Sequence, residues 1–169
     1  WDFGVVVMKD NKTKKVIWHK YVDRREKLSD YREGIEWLEE KGFKIEGIVC
    51  DGLRGIFKEF KRYKVQMCQF HQVQIVRKYL TKQPELEASN ELMEIVLLMK
   101  STDKESFIGL YNEWYNKWKE FIDQRRIDER GKRVYIHKRL RSASLSLRRN
   151  MPYLWTWYDS KIELPKTNN

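Results

Sequence analysis

Gly47-Ile-Val-Cys-Asp51-Gly-Leu-Arg-Gly-Ile-Phe57 decides the fold, together with Val65-Gln-Met-Cys-Gln-Phe70 a little further on. Residues 45 to 50 are a short apolar run of strand length, and the run stops at Asp51-Gly52. Leu53, Ile56, Phe57 and Phe60 then recur at helical spacing, which predicts a short amphipathic helix. Val65 to Phe70 reads as a second strand and Val73 to Leu80 as a second helix. Strand, helix, strand implies a parallel pair with a right-handed crossover. The strand ending at Asp51 and the strand ending near Phe70 should therefore be neighbours, with their C-terminal ends on one edge. Ligand and catalytic groups favour that edge in open α/β sheets.

Upstream, residues 3 to 9 are apolar and β-branched, Asp10-Asn11-Lys12 supplies turn chemistry, and residues 15 to 22 read as a partner strand. Leu28, Tyr31, Ile35 and Leu38 follow at helical spacing, with Ser29 as N-cap and Gly42 just past the C-terminus. Downstream of Pro84 no strand pattern is read between residues 85 and 130. Thr102 with Glu105 predicts a capping box, and Phe107, Leu110, Tyr111, Trp114, Trp118, Phe121 and Ile122 make a helical stripe best explained as core. Arg130-Gly131-Lys132 marks a loop, Ile136, Leu140, Ala143 and Leu147 open another helix, and Met151 to Tyr158 is an aromatic-rich return. Three segments follow: a core at 1–84, a helical insertion at 85–130, and a basic helix with its return at 131–169.

At 169 residues the chain suits one domain with a sizeable core, and 41% hydrophobic with 36% charged residues is a folded composition. No apolar run reaches membrane-spanning length. No secretory leader is read, and the termini at Trp1 and Asn169 look like cuts through a longer chain. Two cysteines do not make a disulfide scaffold, so a reducing, cytoplasmic setting is expected. The Walker phosphate loop, GxSxG and HExxH patterns are absent.

The net charge of +10 is unevenly spread. Arg130 to Asn150 holds eight Lys and Arg residues and no Asp or Glu. Clustered cations are rewarded on phosphates by counterion release, so the run predicts contact with a DNA backbone. Lys138, Arg139, Arg141, Arg148 and Arg149 are its candidates; a solvated helix face is the alternative. Asp51 can serve as a hard-oxygen ligand at a sheet edge, or as the cap of the next helix. Cys68-Gln-Phe-His71 has half the pattern of a zinc site but no second half. Its other readings are a polar pair beside Asp51, with His71 at a helix start open to phosphate, or a packed Cys and a satisfied His.

Taken together, Asp51 in its Gly47–Phe57 setting and Cys68-x-x-His71 resemble bacterial insertion-sequence transposases related to the Mutator-like superfamily. So do Asp103-Lys-Glu-Ser-Phe-Ile-Gly-Leu, Leu140-Arg-Ser-Ala, Arg149-Asn-Met-Pro-Tyr-Leu-Trp-Thr and Pro165-Lys-Thr-Asn-Asn. The resemblance covers essentially the whole chain. It implies a DDE enzyme: a ribonuclease-H-like mixed sheet with flanking helices and an inserted all-helical region. Asp, Asp and Glu would hold two Mg²⁺ or Mn²⁺ ions for cleavage and strand transfer on double-stranded DNA. Multimers on paired ends, in a bacterial nucleoid, are further implications. Asp51 corresponds to the second Asp, and Cys68 and His71 to the CxxH pair. The first Asp should precede Trp1 and the Glu should follow Asn169; Asp2 and Glu163 are poor substitutes. The polypeptide alone is therefore expected to be inactive. Two other readings stand beside it: a ribonuclease-H-like nuclease or resolvase, which also fits a metal-binding Asp at a strand end, and a non-enzymatic DNA-binding remnant of a dead element, which loss of the flanking Asp and Glu from the source gene would support.

Overall fold

The computed structural model describes residues 3–168; Asp2 and the terminal Asn169 lie outside the described residues. Strands β1 (Phe3–Lys9) and β2 (Val16–Asp23) form the antiparallel hairpin expected from their β-branched runs. The turn is longer than Asp10-Asn11-Lys12, because the Asp10 carboxylate accepts from the Thr13 N–H and Lys14 has φ +59. Val6 points into the core while Val5 and Val7 stay exposed, as the period of two demands. Helix α1 (Leu28–Glu40) packs on this hairpin, and the small face of Gly34 accepts Met8 and Trp18. Its cap differs from expectation. Lys27 is the N-cap residue, and its N–H donates to the Asp30 carboxylate at 2.8 Å. Ser29 lies inside the first turn; an N3 carboxylate reaching back to the cap N–H replaces a capping hydroxyl. Gly42, at φ +84, ends the helix as expected.

The parallel pair is present. β3 (Gly47–Cys50) and β4 (Lys64–Met67) run in register from Gly47↔Lys64 to Cys50↔Met67. The crossover carries α2 (Ile56–Glu59), a single turn capped by Gly55 rather than a helix from Leu53. β4 stops at Met67, and α3 (Gln69–Leu80) starts at once, four residues earlier than its apolar pattern suggested. The Cys68 N–H continues the ladder by donating to the Cys50 carbonyl at 2.8 Å.

The helical layer comprises α3, α4 (Glu87–Leu98), α5 (Lys104–Ile122) and α6 (Lys138–Leu154), with the short α7 (Thr156–Asp159) beyond. The aromatic stripe of α5 is core as expected: Phe107, Tyr111 and Trp114 are buried. Asp103, not Thr102, caps α5, accepting from the Ser106 N–H at 2.8 Å. The expectation of no strand between residues 85 and 130 is corrected by β5 (Arg125–Ile127), which pairs antiparallel with β6 (Arg133–Tyr135). Three-residue strands made largely of arginine leave no apolar alternation to read.

α6 lies against α3 and runs the opposite way. Near its start, Arg139 donates to the Tyr79 and Lys78 carbonyls at the end of α3. Towards its other end, Asn150 donates to Gln72, and the Leu154 carbonyl accepts from Gln66 and Gln69. The fold is thus mixed α/β, with three separate two-stranded sheets among the described residues. Among the described residues no helix is long and apolar enough to cross a membrane.

Candidate active site and basic surface

Between β1 and β3 opens a cleft of about 550 Å³. Val7, Met8 and Lys9 of β1 form one wall and Gly47 to Cys50 of β3 the other, with Asp51 at its end. β1 pairs only with β2, and β3 only with β4, so each leaves a strand edge unpaired among the described residues. An unpaired edge is a row of donors and acceptors ready to bond an extended chain. The return segment lies across this region too: Glu163, Leu164 and Pro165 line the cleft, and the Lys166 carbonyl accepts from the Gln69 N–H.

Asp51 follows directly on Cys50, at the C-terminal end of a parallel strand. Of its two sequence readings, the helix cap is removed, since α2 begins five residues later with Gly55 at its cap. Its carboxylate is half-buried and takes part in no hydrogen bond or salt bridge among the described residues. Gly52 then turns the chain at φ +87 with Met67 packed against it; a Cβ there would lie 2.6 Å from the Met67 sulfur. Tyr31, read from sequence only as core, lines the same cleft. Burial pushes its phenol well above the ordinary range, and the charges of Glu26 and Asp51 add to the effect. The Cys50 thiol is likewise pushed up to about 12 by burial, partly opposed by the Gly52 backbone N–H. It is a packed thiol that donates weakly to the Gln66 carbonyl at 3.9 Å.

Cys68 is fully buried at the N-cap of α3, and His71 is the third residue of that helix. The structure therefore sets His71 in a first turn, as expected, directly after the strand neighbouring Asp51. Its Nδ1 is buried without a hydrogen-bond partner, and its ring meets Phe70 edge-on. No three His, Cys, Asp or Glu side chains converge into a metal-holding group among the described residues. Glu163 shares the cleft with Asp51 but does not complete such a group.

The basic run separates by role. Arg139 is tied to the α3 carbonyls, and Arg141 bonds Asp123 at 3.1 Å while lying over the Tyr135 ring. Arg148 is exposed, 5.5 Å from the Tyr115 ring centroid, and Lys138 and Arg149 are exposed. Lys138, Arg141, Leu145, Arg148 and Arg149 share one helical face by spacing, opposite the buried Leu140, Ala143 and Leu147. Arg125 on β5 extends this surface through Tyr135; it lies outside the acid-free window, with Asp128 and Glu129 shortly after it.

The chain matches no protein-family model, no curated protein and no solved structure.

Proposed function

We propose that this chain is the core of a DDE-type DNA transposase with a ribonuclease-H-like fold, in which Asp51 contributes one carboxylate to a pair of divalent ions. The observation that carries the reading is Asp51 itself. It is a carboxylate at the end of a parallel strand, beside a cleft with two open strand edges, and no partner within the described residues engages it. One added strand seated in the cleft would bond both edges and join the two small sheets into one mixed sheet. A carboxylate on that strand would then face Asp51, which is the arrangement the sequence resemblance implies.

The described residues supply one suitable carboxylate, so they do not by themselves complete a site for two ions. In the complete site, Mg²⁺ or Mn²⁺ would polarise the phosphodiester and lower the pKa of the attacking hydroxyl. The part of this chain is to fix Asp51 through β3 and Gly52, set α3 beside it, and offer cations to the DNA backbone.

Two outcomes separate this reading from its neighbours. The full-length gene product should join a labelled 3′-hydroxyl end, taken from the sequences flanking its gene, to a supercoiled target in Mg²⁺. Hydrolysis without joining would instead identify a nuclease or resolvase. A third reading, a DNA-binding remnant, would show salt-sensitive binding and neither reaction, and loss of the flanking Asp and Glu from the full-length gene would support it.

A further inference from the structure

The β5–β6 ribbon has no part in the chemistry at Asp51. Its register sets Arg125 opposite Tyr135 and Ile127 opposite Arg133, so these four side chains share one face. On that face the Arg125 guanidinium lies 4.4 Å from the Tyr135 ring centroid and also donates to its hydroxyl. Arg141 reaches over from α6 and lies 4.1 Å from the same centroid. Two guanidiniums thus crowd one ring, and the carboxylate bonded to them is Asp123, on Arg141 alone. The other acids of the ribbon offset little on this face. Asp128 is turned into the loop, where it accepts the N–H groups of Arg130 and Lys132, and Glu129 sits exposed at the tip. Ile127 is 66% exposed between the arginines, an apolar side chain left bare at the end of a cationic arm.

We propose that this ribbon face is a second contact for duplex DNA, with Arg125, Arg133 and Arg141 on backbone phosphates and Ile127 against the groove. The inference rests on the DNA reading above and adds where the duplex is held. Stacked guanidiniums are held in place by Tyr135 before any ligand arrives, which lowers the ordering cost of gripping an anion. A two-stranded ribbon fits a DNA groove, and exposed isoleucine is one of the wedges that such arms use there. The same cationic surface continues along α6 through Lys138, Arg148 and Arg149. Since α6 starts beside the far end of α3, the ribbon is displaced along that helix from the Asp51 end. Twelve residues of helix make this about 18 Å, roughly five base pairs of duplex.

The test is a salt titration of the full chain binding a fluorescent duplex of random sequence, followed by anisotropy. Arg125→Gln with Arg133→Gln should lower the slope of log affinity against log salt by about 1.8, the value for two phosphate contacts. Ile127→Glu, at an exposed side chain, should weaken binding by roughly tenfold or more, since it sets an acid among phosphates. Arg32→Gln with Arg62→Gln removes two exposed charges near α1 and α2, and should leave the slope unchanged. An unaltered slope in the ribbon pair with normal binding by the parent would overturn the ribbon inference alone. Failure of the parent chain to bind duplex DNA would overturn the DNA reading and the ribbon with it. Selective loss of duplex RNA or acidic-peptide binding would assign the face to a different partner and equally refute the proposal.

Discussion

At Gly52, φ +87 disfavours any side chain, and a Cβ would also push on the Met67 thioether. Gly52→Ala should therefore cost about 1–2 kcal/mol from the left-handed backbone alone, measurable by urea unfolding, and should shift Asp51 with it. Asp30 offers a titration test. Its carboxylate is held below the ordinary range, first by the Lys20 ammonium and then by the Lys27 backbone N–H. A depressed folded pKa gives stability that is present above the unfolded value of 3.8 and lost as pH falls through the folded one. Asp30→Asn should thus be less stable than the parent at about pH 7, and the gap should narrow as pH falls below the unfolded value of 3.8. A gap independent of pH would mean that the carboxylate charge is not what matters. The position of Asp51 was legible because a strand end followed by Gly is a local pattern. Its freedom from capping duty was not, since that depended on Gly55 beginning α2. Tyr31 was hidden among the core residues of its own stripe.

Among the elements, the pair α3 and α6 is held by a polar seam inside an apolar layer. Gln72 accepts from Asn150 at 2.7 Å and faces the Ser146 hydroxyl at 3.4 Å, with all three buried. Replacing Gln72 by Leu strands the Asn150 amide, and the loss should be about 1–3 kcal/mol in chemical denaturation. Leu147→Ala, in the fully buried part of α6, should cost about 2–5 kcal/mol. A Gln72→Leu chain as stable as its parent would show that the seam is replaceable by packing. The long amphipathic helices and the parallel pair were readable because their periods repeat over several turns or run in strand, helix, strand order. The β5–β6 ribbon was not, because it is short and charged. The caps of α1 and α5 were each misassigned by a residue or two for a related reason: several adjacent polar side chains could all cap, and only backbone geometry selects Lys27 and Asp103.

Across the whole molecule, β1–β2 and β3–β4 stand as separate two-stranded sheets among the described residues. β1 and β3 line opposite sides of the cleft, and among the described residues the acids along it do not converge into a metal-holding group. The mixed α/β class could be foreseen from the order of elements, whereas the cleft could not, since it arises from how far apart two hairpin-sized units settle. The most direct measurement compares the full-length gene product with its Asp51→Ala form in the joining assay, at fixed Mg²⁺. Metal-dependent joining by the parent, reduced on the order of a hundredfold or more in the variant, is the result expected of a carboxylate at the reacting metals. Equal joining by both proteins would contradict a role for Asp51 in the chemistry.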